Sequence, residues 1–426
     1  MLFTRRNVMS LMAAGLAAPG WAASAVTLRP QAQTLNVAGR TLPMLAFNGS
    51  VPGPELRFRQ GDTGHITLDN GLDDGALVHW HGLRVPNRMD GVNVLVQDVV
   101  VPGERFDYTL PLRDAGTFWY HSHYLSYEQV SLGLFGAFIV EEPDPPAVDH
   151  DITVQLFDML LGADGQHDDS FDPARFATAG SLGNVKSAFP SRDKVRIGDR
   201  VRLRLINPSI DRIYAVDLSG LRGKVVALDG MPLATPRDLQ TEVLAPGQRY
   251  DVIADVTGPV AIRDTYDGAD DILGEIWTEG QRPIATSPIP SLPANPVAQP
   301  GKSYQTVSLI LQGGAGGAEH RGTGTWALND ISGLPRQPLL RARRGETVRI
   351  ELVNRTAFPH GMHLHGHHFH ELDATGELGP LRDTALLNAG ETRAVIAVFD
   401  NPGRWMLHCH MLSHQADGMA TWCEVI

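Results

Sequence analysis

The chain has 426 residues, which is more than one ordinary hydrophobic core requires and predicts about two or three domains. It holds 44 Gly and 29 Pro and only 20% charged residues, and its short apolar runs are broken by turn residues, so we expect an all-β fold of sandwiches rather than helix bundles. The formal net charge of -12 argues against a nucleic-acid partner or an anionic membrane surface and favours a neutral or cationic partner.

Residues 1–25 have the layout of a secretory signal. Arg5-Arg6 precede an apolar stretch that runs to Ala18, and small residues follow at Ala22-Ala23-Ser24-Ala25. We therefore expect the twin-arginine export machinery to carry the folded protein to the periplasm, with no membrane insertion after cleavage. The alternatives are a buried N-terminal helix or a membrane anchor, but the apolar stretch is shorter than the ~20 residues that a membrane span needs.

One turn-and-strand pattern recurs three times along the chain. A turn with glycine and an acidic residue leads into an alternating strand that ends in asparagine, and a second glycine turn follows, with the asparagines at Asn70, Asn207 and Asn354. Three copies of one β-sandwich explain this repetition. Proline-rich linkers around 141–146 and 283–300 predict domains at 26–145, 146–295 and 296–426.

Histidine pairs at a spacing of two are the strongest chemical signal. The sequence has 17 histidines, for which chance predicts about 0.7 such pairs, yet six occur. Four of these pairs concern us: His79-Trp80-His81, His121-Ser122-His123, His363-Leu364-His365 and His408-Cys409-His410. Because side chains alternate across a strand, the members of a pair project from one face, and eight imidazoles without matching carboxylates indicate several copper ions.

The last pair encloses a cysteine, whose thiolate we expect on the opposite face of the strand from His408 and His410. His414 and Met419 lie five and ten residues beyond Cys409, and His360 precedes the third pair by three. Two imidazoles, a thiolate and a weak thioether make a blue electron-transfer copper site. The alternative is that Met419 belongs to the core and that Cys409 forms a disulfide with Cys423.

Together these motifs resemble the four copper motifs of three-domain multicopper oxidases, the laccase-like family. The resemblance implies three cupredoxin-like Greek-key domains and four copper ions, and it implies a role for each ligand. The type 1 copper would take His360, Cys409, His414 and Met419; the type 2 copper would take His79 and His363; and the type 3 pair would take His81, His121 and His410 on one ion and His123, His365 and His408 on the other.

The resemblance also implies the chemistry: a reductant loses electrons singly at the type 1 copper, and dioxygen is reduced to water at the three-copper cluster. Asp90, in the turn after the first pair, matches an acidic residue that serves the cluster, although it could also be an ordinary solvated turn residue. The middle domain has Pro208 to Tyr214 where the third domain has ligands, so a spacer role is implied. For the seven other histidines, including His367 and His370 in what we predict to be the strand of His363 and His365, core or supporting roles are expected.

Two departures from the family pattern bear on function. Gln415 follows His414 where bacterial relatives often have glutamate, and the third domain lacks the methionine-rich insertion of cuprous-ion oxidases. We therefore expect an oxidase of phenols and aromatic amines. The alternatives are a metal-ion oxidase of cuprous or ferrous ion in periplasmic copper tolerance and a non-catalytic copper-binding or division-associated protein.

Overall fold

A computed structural model describes residues 25–168, 173–317 and 320–426. Strands dominate the described residues, which confirms the all-β expectation. The α-helices are short, namely α1 (Ser126–Ser131), α2 (Pro173–Phe176) and α3 (Leu412–Ala416), and single 3₁₀ turns occur at Asn87–Met89 and Tyr266–Gly268. The predicted signal sequence lies outside the described residues, apart from Ala25. Within the described ranges, no helix has the length and apolar character needed to cross a bilayer.

The first group of strands forms two sheets and a hairpin. One sheet has the order β1-β5-β7, the other β4-β9-β8-β6, and β2 pairs with β3. Apolar side chains such as Trp80, Tyr108 and Phe138 fill the space between the sheets. The strands are β1 (Val26–Leu28), β2 (Pro30–Val37), β3 (Arg40–Phe47), β4 (Gly53–Arg59), β5 (Thr63–Asp69), β6 (Val78–His81), β7 (Arg105–Pro111), β8 (Gly116–Ser122) and β9 (Phe135–Glu141).

The second group forms a single nine-stranded sheet. Its central path is β11-β10-β13-β17-β14-β15, and register shifts where the long strands β14 and β17 pair let the sheet bend around its own core. The strands are β10 (His150–Met159), β11 (Val185–Pro190), β12 (Lys194–Ile197), β13 (Arg200–Ile206), β14 (Tyr214–Leu228), β15 (Met231–Asp238), β16 (Glu242–Leu244), β17 (Arg249–Asp264) and β18 (Asp271–Gln281).

The third group again forms two sheets. Their orders are β20-β19-β22-β27-β24-β25 and β21-β29-β28-β23-β26, with Trp326 and Trp405 buried in the core. The strands are β19 (Gln305–Gly313), β20 (Trp326–Leu328), β21 (Leu340–Ala342), β22 (Glu346–Asn354), β23 (His360–Leu364), β24 (Phe369–Leu372), β25 (Leu378–Arg382), β26 (Thr384–Leu387), β27 (Thr392–Phe399), β28 (Gly403–Cys409) and β29 (Ala420–Val425).

The three asparagines of the repeated pattern make the same contacts in each group. Asn70, Asn207 and Asn354 each accept a hydrogen bond from the backbone N–H two residues later, at 3.0, 3.1 and 2.9 Å. Each also donates from Nδ2 to a carbonyl shortly before the second glycine turn, namely those of Val100, Leu244 and Asn388. One local device therefore recurs three times, as expected for three copies of one unit. The exact domain boundaries stay a prediction.

Candidate metal centre

The four histidine pairs converge where the first and third groups of strands meet. His79 and His81 lie on β6 and His121 on β8, while His363 lies on β23 and His408 on β28. Pairing of β6 with β8 sets His79 opposite His121, and pairing of β23 with β28 sets His363 opposite His408. The short strands of two sandwiches therefore deliver eight imidazoles to one buried place.

Strand alternation, which predicts that both histidines of a pair project from one face, applies only in part. The second members His123, His365 and His410 each lie one residue beyond the end of their strand. Ring centroids within the four pairs are nevertheless 5.8, 5.9, 4.8 and 5.6 Å apart in chain order, so each pair stays on one side of its strand.

The imidazoles gather into compact groups, two of which have the membership of the expected type 3 sets, and one of which adds His81 to the expected type 2 pair. In each group the possible ligand atoms all lie within 4.8 Å of one another, and every residue is buried. The groups are His79, His81 and His363; His81, His121 and His410; His123, His365 and His408; and His79, Asp90 and His365.

Six of these imidazoles have one ring nitrogen beside a backbone carbonyl or an aspartate carboxylate, and a carbonyl or an ionised carboxylate only accepts a hydrogen bond. That nitrogen must therefore carry the proton, and the other nitrogen keeps a lone pair. The contacts are His79 to the Asp90 carbonyl (2.9 Å), His81 to Asp383 Oδ1 (3.1 Å), His121 to the Ser122 carbonyl (2.8 Å), His363 to the Asp383 carbonyl (3.0 Å), His365 to Asp90 Oδ2 (2.9 Å) and His408 to the Cys409 carbonyl (2.8 Å).

Three of the opposite nitrogens, and one nitrogen of His410, have no hydrogen-bond partner among the described residues. Nε2 of His79, His121 and His363 and Nδ1 of His410 are buried without a hydrogen-bond partner in the described part of the chain. Buried polar atoms are rarely left in this state, because each such atom costs about 1–3 kcal/mol. Metal ions would satisfy all four.

A second kind of site surrounds the Cys409 sulfur. Sγ lies 3.6 Å from Nδ1 of His360 and 3.7 Å from Nδ1 of His414, and these two nitrogens are 3.1 Å apart. The far nitrogen of His360 lies 2.8 Å from the Thr356 hydroxyl, and that of His414 donates to the Thr178 carbonyl at 2.9 Å. Both imidazoles are therefore held from behind and present their inner nitrogens beside the thiol.

Met419 is fully buried beside this group, and its backbone is tied to two members of it. Its carbonyl accepts from the Cys409 N–H at 3.0 Å, and its N–H donates to the His414 carbonyl at 2.9 Å. Cys423 is also buried, and both cysteines are free thiols. The disulfide alternative is therefore wrong.

In the metal-free protein, burial determines the protonation states of the proposed ligands. It lowers the pKa of His414 to about 4 and holds those of His360, His408 and His410 well below the ordinary histidine value. It raises the pKa of the Cys409 thiol to about 12. The imidazoles are thus neutral and ready to bind a cation, whereas the thiolate requires one, because a bound metal ion reverses the cost of burying negative charge.

Comparison with known proteins identifies the family of the chain. Family models described as multicopper oxidase match residues 30–145, 176–266 and 308–426. The crystal structure of Lac15 from a marine microbial metagenome is 47% identical, with a TM-score of 0.82 over 94% of this chain and 100% of that one. The chain belongs to the multicopper oxidase family.

Curated relatives agree with this assignment. Multicopper oxidase MmcO of Mycobacterium tuberculosis is 27% identical over 94% of this chain and 86% of its own length, and Laccase-1 of Botryotinia fuckeliana is 26% identical over 92% and 80%. This multicopper oxidase is therefore a copper-dependent oxidoreductase that uses dioxygen, with cupredoxin-like domains as expected. The non-catalytic alternative is wrong. Copper fits the donor set, because copper binds imidazole and thiolate and because four nitrogens of the clustered imidazoles have no hydrogen-bond partner in the described part of the chain.

Asp383 and Arg249 support the cluster and were not predicted from the sequence. Asp383 accepts from His81 and, at 2.9 and 2.7 Å, from both terminal nitrogens of Arg249. Burial opposes ionisation of Asp383, but Arg249 and His81 outweigh it and hold its pKa well below the ordinary value. No spacing rule joins residues so far apart in the chain, so only the fold could identify this pair.

The middle domain contributes more than a spacer. It supplies Arg249 to the cluster and the Thr178 carbonyl to His414. The turn glycine Gly247 lies so close to the imidazoles that an added Cβ would be 2.9 Å from His81 and 3.1 Å from His410. The middle domain therefore does more than separate the other two, because it contacts both the imidazole cluster and the group around Cys409.

The structure shows the environments of Asp90 and of two of the remaining histidines. Asp90 is 1% exposed, with Oδ1 3.3 Å from Nδ1 of His79, so it is not a solvated turn residue. Our placement of His367 and His370 in the strand of the ligands is wrong, because β23 ends at Leu364 and Gly366, with φ +66°, turns the chain. Neither histidine joins a possible metal group within the described residues, as expected.

Proposed function

We propose that this multicopper oxidase takes single electrons from phenols and aromatic amines at a type 1 copper and reduces dioxygen to water at a trinuclear cluster. The proposed type 1 ligands are His360, Cys409, His414 and Met419. The proposed cluster ligands are His79 and His363 for type 2, and His81, His121, His410, His123, His365 and His408 for the type 3 pair.

The observation that carries the proposal is the position of Cys409 between two cluster residues. Its sulfur belongs to the group of His360 and His414, while its neighbours His408 and His410 belong to two different cluster groups. A covalent path therefore joins the site of electron entry to the site of dioxygen reduction. When bound, copper supplies reversible one-electron chemistry, and the chain supplies position and insulation.

The chain's own residues fix the imidazoles and handle protons. Asp383 accepts from His81 through its carboxylate and from His363 through its carbonyl, which orients both rings. Asp90 is a second acidic group that contacts the cluster imidazoles, at 2.9 Å from His365, and unlike Asp383 it forms no ion pair with an arginine within the described residues. We assign it a share of the proton transfer that dioxygen reduction requires.

A cavity beside the type 1 group supports a small aromatic reductant. It encloses about 230 Å³ and is lined by Pro359, which precedes His360, by Met411 and by Tyr266. This volume is below the usual range for drug-sized ligands and fits a donor with a single ring. The proline, thioether and phenol ring offer apolar contacts to such a donor.

The cavity also contains carboxylates, which is the observation in favour of a metal-ion oxidase. Two of them are already engaged, because Asp264 pairs with Lys186 at 2.8 Å and Asp211 accepts from Ser413 at 2.9 Å. Asp267 is exposed. Since no methionine-rich insertion adds soft ligands for cuprous ion, the aromatic reductant is preferred.

Oxygen uptake by the copper-loaded protein tests the proposal. A phenol, cuprous ion and ferrous ion are supplied in parallel, and Cys409→Ser treated with copper in the same way is the control. We expect uptake with the phenol to be the fastest and to vanish in the control. Uptake that only the metal ions support would replace this proposal with the metal-ion oxidase.

We also propose export to the periplasm by the twin-arginine route, on the grounds of residues 1–25. N-terminal sequencing of the mature protein from the periplasmic fraction tests this. Cleavage near Ala25 is expected, and an uncleaved chain in the cytoplasm would contradict it.

A further inference from the structure

A solvent cleft reaches the cluster between two helices. α1 follows the pair His121 and His123, α3 follows the pair His408 and His410, and the helices pack against each other. The cleft beside them encloses about 440 Å³, and His123 forms part of its wall.

His123 is the point at which this cleft meets the cluster. It is 5% exposed, whereas the seven other cluster imidazoles are at most 1% exposed. Water in the cleft therefore comes closer to His123 than to any other proposed cluster ligand. A proton that travels from solvent through the cleft would arrive here.

Three polar side chains of the helices line the cleft, those of Ser126, Glu128 and Gln415, and the last two differ in their chemistry. Gln415 on α3 carries an amide, which can hold water but cannot ionise, and Glu128 on α1 carries a carboxyl group. Glu128 is half-buried and forms no ion pair within the described residues. Besides His123 it is the one ionisable residue of the cleft wall there, and the neighbouring Tyr127 directs its hydroxyl to Ser181 instead.

The surroundings of Glu128 favour a carboxyl group that holds its proton. Burial raises its pKa above the ordinary glutamate value, and no cation among the described residues counters this effect. An upward shift of the pKa brings a carboxyl group closer to the pH at which it can both donate and regain a proton.

We infer that Glu128 relays protons through this cleft to the cluster. Gln415 cannot perform this task, because its amide does not ionise. The inference rests on the proposed function. Each dioxygen takes four electrons from the reductant and four protons from solvent and yields two waters. Glu128 passes protons singly along water in the cleft and regains each from bulk solvent, so its own state is unchanged after a cycle.

The test compares four variants of the full chain: Glu128→Gln, Glu128→Asp, the double variant Glu128→Gln with Gln415→Glu, and Glu104→Gln as a control at an exposed glutamate of the same domain. In the metal-free protein, carboxyl NMR should give Glu128 a pKa above the ordinary value. All four copper-loaded variants should have the copper content of wild type. A phenol should also reduce their type 1 copper without oxygen as it does in wild type.

Reoxidation by dioxygen in a stopped-flow instrument should separate the variants. Glu128→Gln should be slowed at least about tenfold, because general acids contribute roughly 10²–10⁴-fold. The wild-type rate should fall as rising pH deprotonates Glu128, while the Glu128→Gln rate lacks this fall. Glu128→Asp should be intermediate, the double variant should recover most of the rate, and Glu104→Gln should match wild type.

A wild-type rate and pH profile in Glu128→Gln would overturn the inference, as would an NMR pKa at or below the ordinary glutamate value. If Glu128→Gln fails to hold copper, Glu128→Asp and the double variant decide, because both keep a carboxyl group in the cleft. A double variant that folds and is no faster than Glu128→Gln would also contradict the relay. Failure of the proposed function would appear differently, as wild-type protein whose type 1 copper the phenol does not reduce.

Discussion

Cys409 and Cys423 are both buried and free, and they differ in what surrounds the sulfur. Cys409 has two imidazole nitrogens within 3.7 Å, whereas Cys423 packs in the apolar core of the third domain. A buried thiol of the second kind is an inert hydrophobic side chain, while the first is placed to become a metal-bound thiolate.

We predict that Cys409→Ser abolishes the blue colour of the copper-loaded protein and reduces turnover to background, while the chain stays folded. The reason is that charge transfer from a thiolate to oxidised copper produces the colour. Cys423→Ser is the matched control and should keep both colour and turnover. Visible absorption with copper analysis measures this, and a Cys409→Ser protein that stays blue would refute the type 1 assignment.

The ligands themselves could be predicted because a spacing of two on a short strand places both imidazoles on one side. The turn at Gly366 was missed, since an apolar run rich in histidine resembles one continuous strand. Asp383 and Arg249 were missed because their contacts join residues 134 positions apart. Local patterns thus predicted which histidines come together, and the fold was needed to find the groups that hold them.

The second glycine turn of the repeated pattern has different surroundings in the middle domain from those in the other two. Gly103, Gly247 and Gly390 all have positive φ, at 79°, 87° and 71°. A Cβ added at Gly103 or Gly390 would meet nothing within 4 Å, whereas one at Gly247 would press on His81 and His410. The repeat predicted the turns, but not that the turn of the middle domain packs on the cluster.

Gly247→Ala should therefore lower the copper content of the cluster while the type 1 colour persists. Gly103→Ala is the matched control, because it bears the same backbone strain of about 1–2 kcal/mol without the contact. Copper analysis together with the intensity of the blue band distinguishes the two variants. Equal copper loss in both would show that strain alone is responsible.

Polar contacts join the three domains, and among them the ion pair of Arg249 with Asp383 is fully buried. Arg249 of the middle domain donates to the Thr117 carbonyl of the first domain at 3.1 Å and to Asp383 of the third. Asp151 of the middle domain pairs with Arg204 at 2.6 Å and lies 3.5 Å from Arg57 of the first domain. Because the cluster forms where domains meet, these contacts hold the metal site together as well as the fold.

The pair of Asp151 with Arg204 predicts a loss of stability in acid. Burial opposes ionisation of Asp151, but Arg204 outweighs it and lowers the pKa to about 2, against about 3.9 in the unfolded chain. The contribution is therefore complete above about pH 5 and declines as pH falls toward 2. We expect the metal-free protein to lose about 2 kcal/mol of unfolding free energy through this group between about pH 5 and pH 2.5.

Denaturant unfolding of wild type and of Asp151→Asn across this pH range measures the effect. The variant should be less stable at pH 5 and should show a shallower decline in acid. Asp144→Asn, at an exposed position of the linker, is the control and should follow wild type. Parallel declines in wild type and Asp151→Asn would contradict the prediction.

The central claim is that one chain couples a blue copper to a three-copper cluster, and an electron count tests it most directly. Copper-loaded protein is reduced by a phenol without oxygen, the electrons taken up per chain are counted, and a known amount of dioxygen is then added while peroxide is assayed. We predict four copper ions and four electrons per chain, with one dioxygen consumed per chain and no peroxide released. Release of hydrogen peroxide, or uptake of fewer electrons by fully loaded protein, would contradict the account.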